Sequence, residues 1–279
     1  MRPEHTAPPE VFYGIDEAKK YSRNTRIMEI QATMSDRAIE MLCLPEDKPS
    51  LILDIGCGSG LSGECLSDQG HHWVGMDISE AMLDIAVSER ETDGDVQLAD
   101  MGQGVHYRAG VFDGAISISA VQWLCNADKK GHSPPKRLYQ FFKTLYSTLR
   151  HGARAVLQLY PETPDQMELI MYQATRAGFS GGVVIDYPNS AKAKKYYLCL
   201  FAGIQQGQAQ VPAGLSDEVE TAQNTDRMRT KDFRNAGGLK NGTRKQKVIA
   251  RKERHLRKGK TTNHSENTKY TGRKRRPKF

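Results

Sequence analysis

The sequence has no run of 18 apolar residues, which argues against a membrane-spanning helix. Its first ten residues, Met1–Glu10, are polar and proline-rich and lack the apolar core of a secretory signal. None of the five cysteines (Cys43, Cys57, Cys65, Cys125, Cys199) belongs to a Cys-x-x-Cys pair, so no zinc site of familiar spacing is expected. Without a signal, these cysteines predict reduced thiols in an intracellular protein. Apolar residues are also scarce, at 38% of 279 residues with a mean hydropathy of −0.61, so part of the chain lies outside any core. The distribution of acids shows which part. Residues 227–279 hold 3 Asp/Glu against 20 Lys/Arg, a net of +17. Residues 1–226 hold 30 Asp/Glu against 20 Lys/Arg, a net of −10, and the whole chain is +7.

What remains after these exclusions is an acidic domain followed by a basic tail. In residues 16–44, Ile27, Ile30, Met34, Ala38 and Met41 recur at helical spacing and predict one or two helices, with Asp16 as N-cap. Pro45–Ser50 reads as a loop. Strands are expected at 51–55, 72–77, 96–99, 112–119 and 153–160, and helices at 60–69 and 80–90, the latter capped by Ser79. A further helix at 137–149 buries Leu138, Phe141, Phe142, Leu145 and Leu149. A helix at 164–177 stops at Gly178. The last strands are Val183–Tyr187 and Tyr196–Phe201, with no helix evident between them. Alternating strands and helices imply a doubly wound, mostly parallel sheet, and the missing last crossover implies an antiparallel end. The predicted organisation is a flexible N-terminus (1–15), an α/β domain (16–203), a linker (204–226) and a tail (227–279) too poor in apolar residues to fold alone. Within the tail, Arg244–Lys258 reads as a basic helix formed on a partner.

Leu53-Asp54-Ile55-Gly56-Cys57-Gly58-Ser59-Gly60 joins the first strand to a helix through a glycine turn. Such a turn lets backbone approach a ligand closely, and a helix start offers unpaired N–H groups. Two adenosine cofactors compete for it. Gly58-Ser59-Gly60-Leu61-Ser62-Gly63 matches the dinucleotide pattern, with Asp77 19 residues after Gly58. S-adenosylmethionine (SAM) enzymes use a similar turn but place an acid two residues before the first glycine, where Asp54 stands. That acid suits a cationic ligand and repels a pyrophosphate. The antiparallel sheet end is also typical of SAM methyltransferases. SAM is therefore favoured, and Gly63 is read as a close-packing helix glycine. Ligands of open α/β sheets bind beyond the strand carboxyl ends. Gly56, Gly58 and Gly60 would line the methionine part with Asp54 facing its charge, Asp77 would bind the ribose, Ile78 would pack on adenine, and Asp100 would meet the adenine amino group. Bland alternatives stand beside these: a turn acid for Asp100 and plain core packing for Ile78.

After the fourth strand stands Ser119-Ala120-Val121-Gln122-Trp123 in place of the Asn-Pro-Pro-Tyr of base-amino methyltransferases. Cys125 follows Leu124, not a proline, so it is read as a structural thiol and not as a nucleophile. No general base stands out. That fits an acceptor with a free lone pair and no proton to lose, such as guanine N7, for which positioning and desolvation suffice. Trp123 is either a base-stacking ring or a core residue. The tail's charge suits RNA phosphates, and Gly272–Lys278 is similar to a nuclear-import signal.

Several segments resemble the eukaryotic 18S rRNA guanine-N7 methyltransferase family. They are Lys20–Met41, Leu53–Gly63, Asp100–Gly104, Phe112–Gly114, Ile116–Asn126, Val156–Pro161, Ala177–Gly182, Asp186–Lys195 and Tyr270–Arg275. Most specific is the run Ser117-Ile118-Ser119-Ala120-Val121-Gln122-Trp123-Leu124-Cys125-Asn126. The resemblance implies a class I SAM-dependent methyltransferase with a Rossmann-like, seven-stranded, mostly parallel sheet and an antiparallel final strand. It implies methylation of N7 of one guanine in 18S rRNA during pre-rRNA processing and small-subunit biogenesis. It also implies heterodimerisation with a small zinc-binding activator, contact with the small-subunit precursor, and residence in the nucleoplasm and nucleolus with some cytoplasmic pool. The cofactor residues it carries over are Asp54, Gly56, Gly58, Gly60, Asp77, Ile78, Asp100 and Met101, with Tyr21 and Asn24 closing over the ligand; Ser119 joins them by its place at the end of the fourth strand. Trp123, Tyr187 and Asn189 would form the guanine pocket. A scaffolding assembly factor and a small-molecule methyltransferase remain the rival readings.

Overall fold

The computed structural model describes residues 2–45, 48–190, 192–203 and 210–216. The chain divides into two units, Met1–Val219 and Glu220–Phe279, and every described residue lies in the first. The expected tail helix at 244–258, the import-like run at 272–278 and most of the linker lie outside the described residues.

The helices are α1 (Pro9–Phe12), α2 (Ile15–Arg23), α3 (Thr25–Leu42), α4 (Leu61–Asp68), α5 (Glu80–Asp84), α6 (Pro134–Thr148) and α7 (Pro164–Arg176). The strands are β1 (Leu51–Ile55), β2 (His72–Asp77), β3 (Asp95–Leu98), β4 (Phe112–Ile118), β5 (Leu149–Leu159), β6 (Ser180–Asp186) and β7 (Lys195–Phe201). They form one sheet in the order β3-β2-β1-β4-β5-β7-β6. The first five strands are parallel, and β7 runs antiparallel to both β5 and β6, as the missing crossover predicts. Ile52, Leu53 and Ile55 of β1 are fully buried because helices cover both faces of the sheet. On one face α6 inserts Leu138, Phe141, Phe142 and Leu145, and on the other α3 packs Met34, Ala38 and Met41. Burial of the leucine, phenylalanine and methionine side chains among these stabilises the fold by about 1.5–3 kcal/mol each.

Several boundaries differ from expectation for local reasons. The α2 N-cap is Gly14, and Asp16 sits in the first turn, where its charge favours the helix start. The 80–90 helix is regular only to Asp84 and continues as a π-helical turn over Ile85–Glu89. Strand β6 begins at Ser180 because Gly181 and Gly182 pair with Leu200 and Cys199 of β7. Residues 2–13, expected to be flexible, fold against the domain. Arg2 donates to the Tyr160 and Pro161 carbonyls at 2.9 and 3.2 Å, and Ser79 Oγ donates to the Tyr13 carbonyl at 2.8 Å. Residues 210–216, expected within the linker, return to the sheet edge. The Leu215 N–H donates to Asp186 Oδ1 at 2.8 Å, and Arg37 donates to the Ala213 carbonyl at 2.8 Å.

Candidate functional site

The carboxyl ends of β1, β2 and β4 open onto a cleft enclosing about 1140 Å³ out to its mouth. Its floor is the turn after β1. Gly56 has φ +71, and a Cβ there would stand 2.3 Å from the Ala120 Cβ, so only glycine lets this turn meet the loop after β4. The turn is fixed from β2. Asp77 Oδ2 accepts the Gly58 N–H at 2.8 Å, and Oδ1 accepts the Ser79 N–H at 2.8 Å. Burial raises the Asp77 pKa while the bonds from Ser79, Gly58 and Ile78 oppose it. Each Asp77 oxygen retains a lone pair, so the carboxylate can also take ribose hydroxyls.

Nine of the predicted residues line this cleft: Gly56, Gly58, Asp77, Ile78, Asp100, Met101, Ser119, Trp123 and Tyr21. Ser119 adopts φ +59, an uncommon conformation for a residue with a side chain. It is held there by its Oγ donating to Gln158 Oε1 at 2.6 Å and its N–H donating to the Gln158 carbonyl at 3.0 Å. Tyr21 is clustered with Tyr13 at 5.9 Å between ring centroids, and Tyr13 with Trp123 at 5.9 Å. Burial pushes the Tyr21 hydroxyl up to about 12. Asp100 lines the cleft, and both its oxygens accept from Arg137 Nη2, at 2.6 and 2.8 Å; Oδ1 also accepts the Gly102 N–H at 2.8 Å, which leaves a lone pair on Oδ2 for an adenine amino group.

Five predicted residues are not in the cleft wall. Asp54 is fully buried behind the turn, where Ser62 Oγ donates to its Oδ2 at 2.6 Å. Gly60 starts α4 behind the same turn. Asn24 caps α3, its Oδ1 accepting the Ile27 N–H at 3.2 Å. Tyr187 and Asn189 follow β6, the outermost strand, and Tyr187 is bonded through its N–H to the Leu215 carbonyl at 2.6 Å. The cleft also contains residues that the motifs do not mark, chiefly Tyr13, Glu10, Lys129, His132 and Arg137. Their signal is long-range pairing: Arg137 with Asp100, and Glu10 with Lys129 at 2.7 Å. Cys125 has its thiol pushed up to about 11 by burial, which agrees with a structural residue and not a nucleophile. Among the described residues no group of three His, Cys, Asp or Glu is placed to hold a metal.

The site fits SAM. Asp54 Oδ1 is buried and has no hydrogen-bond partner among the described residues. Burial lifts its pKa to about 7, against a lowering by Ser62, so a cationic ligand beyond the turn would favour its ionised form. The acid at β2 suits ribose, and Ile78, Met82 and Met101 offer apolar surface for adenine.

A methyltransferase-domain family model matches residues 52–152. A second model, described as a methyltransferase involved in Williams-Beuren syndrome, matches residues 200–277. The 18S rRNA (guanine-N(7))-methyltransferase of Mus musculus is 56% identical, covering 100% of this chain and 98% of its own. This chain belongs to the 18S rRNA (guanine-N7)-methyltransferase family. The 18S rRNA (guanine(1575)-N(7))-methyltransferase of Saccharomyces cerevisiae is 48% identical over 100% of this chain and 99% of its own. Among solved structures, the CurJ carbon methyltransferase matches with a TM-score of 0.50 at 13% identity, covering 73% of this chain and 62% of that one, a likeness of fold.

Proposed function

We infer that this protein transfers a methyl group from SAM to N7 of a guanine in 18S rRNA and acts in small-subunit biogenesis. The single observation that carries the reading is the full-length identity to the mouse and yeast enzymes, joined to an intact cofactor cleft. When bound, SAM supplies an electrophilic methyl on a sulfonium. Asp77 and the Gly56–Gly58 turn bind and orient, and the Tyr13–Tyr21–Trp123 cluster lines the cleft with ring surface that excludes water. Guanine N7 has no proton to lose, so no general base is needed, and positioning carries the rate. Transfer of labelled methyl from SAM to small-subunit precursors, followed by nucleoside digestion, tests this. Label in 7-methylguanosine is expected, and label in any other nucleoside would refute it.

The finer assignments belong to the same reading. We extend the methyltransferase domain beyond 16–203 to take in residues 2–15 and 210–216, which pack on it, and assign the tail, 227–279, to rRNA phosphates and nuclear import on the strength of its net charge of +17. A small zinc-binding activator fits the uncovered sheet edge. There β3 is outermost, and its Leu98 is 56% exposed. An open apolar edge is a pairing liability unless a partner covers it.

A further inference from the structure

Beside the cofactor cleft lies a smaller cavity lined by Glu4, His5, Gln122, Asn126 and Glu162, among others. Gln122 is only 5% exposed. Its Nε2 donates to the Ser119 carbonyl at 2.9 Å and to Glu4 Oε1 at 3.2 Å. Its Oε1 is buried and has no hydrogen-bond partner among the described residues. An unpaired buried amide oxygen costs stability, which calls for a donor that arrives in another state of the protein. Asn126 donates its Nδ2 to the Glu4 carbonyl at 3.0 Å. One N-terminal residue therefore holds both amides. The loop that carries them also carries Ser119 and Trp123 of the cofactor cleft, so the two cavities share a wall. Residues 2–5 form the opposite wall, fastened by Arg2 to the Tyr160 and Pro161 carbonyls and by His5 to Glu162 at 2.9 Å.

A guanine attacking through N7 leaves its O6 acceptor and its N1–H and N2–H₂ donors for recognition. Gln122 supplies the acceptor that lacks a donor, and Asn126 supplies an amide N–H₂ now spent on a peptide carbonyl. Adenine mismatches both, with a donor in place of O6 and no N2 amino group. Resting on the functional reading above, we propose that Gln122 Oε1 accepts from the N2 amino group and Asn126 Nδ2 donates to O6 of the target guanine. Residues 2–5 move aside, and the base takes the place of Glu4.

The test uses the full-length protein, labelled SAM and an 18S rRNA fragment with guanosine or inosine at the methylated position. Inosine keeps N7, O6 and N1–H and lacks only the N2 amino group. Wild type favours guanosine over inosine in kcat/KM by about tenfold, which corresponds to about 1.4 kcal/mol. Gln122→Met, similar in shape but without the acceptor, brings that ratio close to one at unchanged SAM affinity. Asn126→Ala lowers both substrates and keeps the ratio. An equal loss on both substrates in Gln122→Met, with the preference intact, makes Gln122 structural and overturns the proposal, as does a wild type indifferent to the N2 amino group. Should Gln122→Met fail to bind SAM, Asn126→Ala carries the test against 2-aminopurine riboside, which lacks O6. An undiminished preference for guanosine over that analogue in the variant overturns the proposal. A wild type that methylates none of these fragments counts instead against the guanine-N7 reading.

Discussion

Replacing Asp77 by asparagine isolates the group that fixes the turn and to which the proposed function assigns the ribose. The carboxylate accepts two backbone N–H groups, from Gly58 and Ser79, each at 2.8 Å. An asparagine offers one acceptor oxygen, so its N–H₂ must face one of those donors. An unsatisfied buried donor costs about 1–3 kcal/mol. In a domain of this size each kcal/mol lowers Tm by about 2–4 °C. Ligand binding suffers separately. A hydrogen bond from a ribose hydroxyl to a carboxylate is worth about 1.5–3 kcal/mol, so SAM affinity should fall roughly ten- to 150-fold. Thermal unfolding of the ligand-free protein and calorimetric titration with SAM separate the two effects. A variant that melts with wild type and binds SAM within threefold would refute the role given to Asp77.

Three further outcomes follow from the geometry. Asp54 is held neutral by burial up to about 7, well above its ordinary 3.8, so its contribution to stability is complete below the lower value and lost as pH rises through the upper one. Asp54→Asn should flatten the decline in urea midpoint between about pH 4 and 7, and parallel declines would contradict the assignment; in wild type, SAM affinity should rise with pH across the same window. A Cβ at Gly63 would lie 2.2 Å from the Trp73 ring, which Gly75 and Gly94 also hem in, so Gly63→Ala should cost about 1–3 kcal/mol by chemical denaturation with SAM affinity nearly unchanged. Removal of residues 227–279 should weaken 18S rRNA binding and make its salt dependence shallower without altering SAM affinity; an unchanged salt slope would remove the tail from the RNA interface.

The sheet was legible because its signals are local. Apolar strands, the glycine turn and the absence of a helix before β7 each lie within a few residues of what they specify. The boundaries that moved depend on partners. Gly181 and Gly182 read as loop until β7 pairs with them. Within the cleft, residues at strand ends stand where position alone puts them, as with Asp77, Ile78, Met101 and Ser119. Asp54 was correctly placed in the chain but faces α4 behind the turn, and strand position does not tell on which side of a loop a side chain falls. Asn24 caps α3, a role set by the break between α2 and α3, which the helical spacing within 16–44 does not mark. Arg137 and Tyr13 were out of reach because their roles come from contacts 37 and 66 residues away, with Asp100 and Ser79. No window of sequence contains both partners.

The most direct test of SAM-dependent guanine-N7 methylation uses cells depleted of this protein and complemented with wild type or with Gly58→Glu plus Asp77→Lys. Borohydride and aniline cleavage then reports N7-methylguanine in small-subunit rRNA. A cleavage site restored by wild type and not by the double variant is the predicted result. A site that persists in the depleted cells would contradict the N7 assignment.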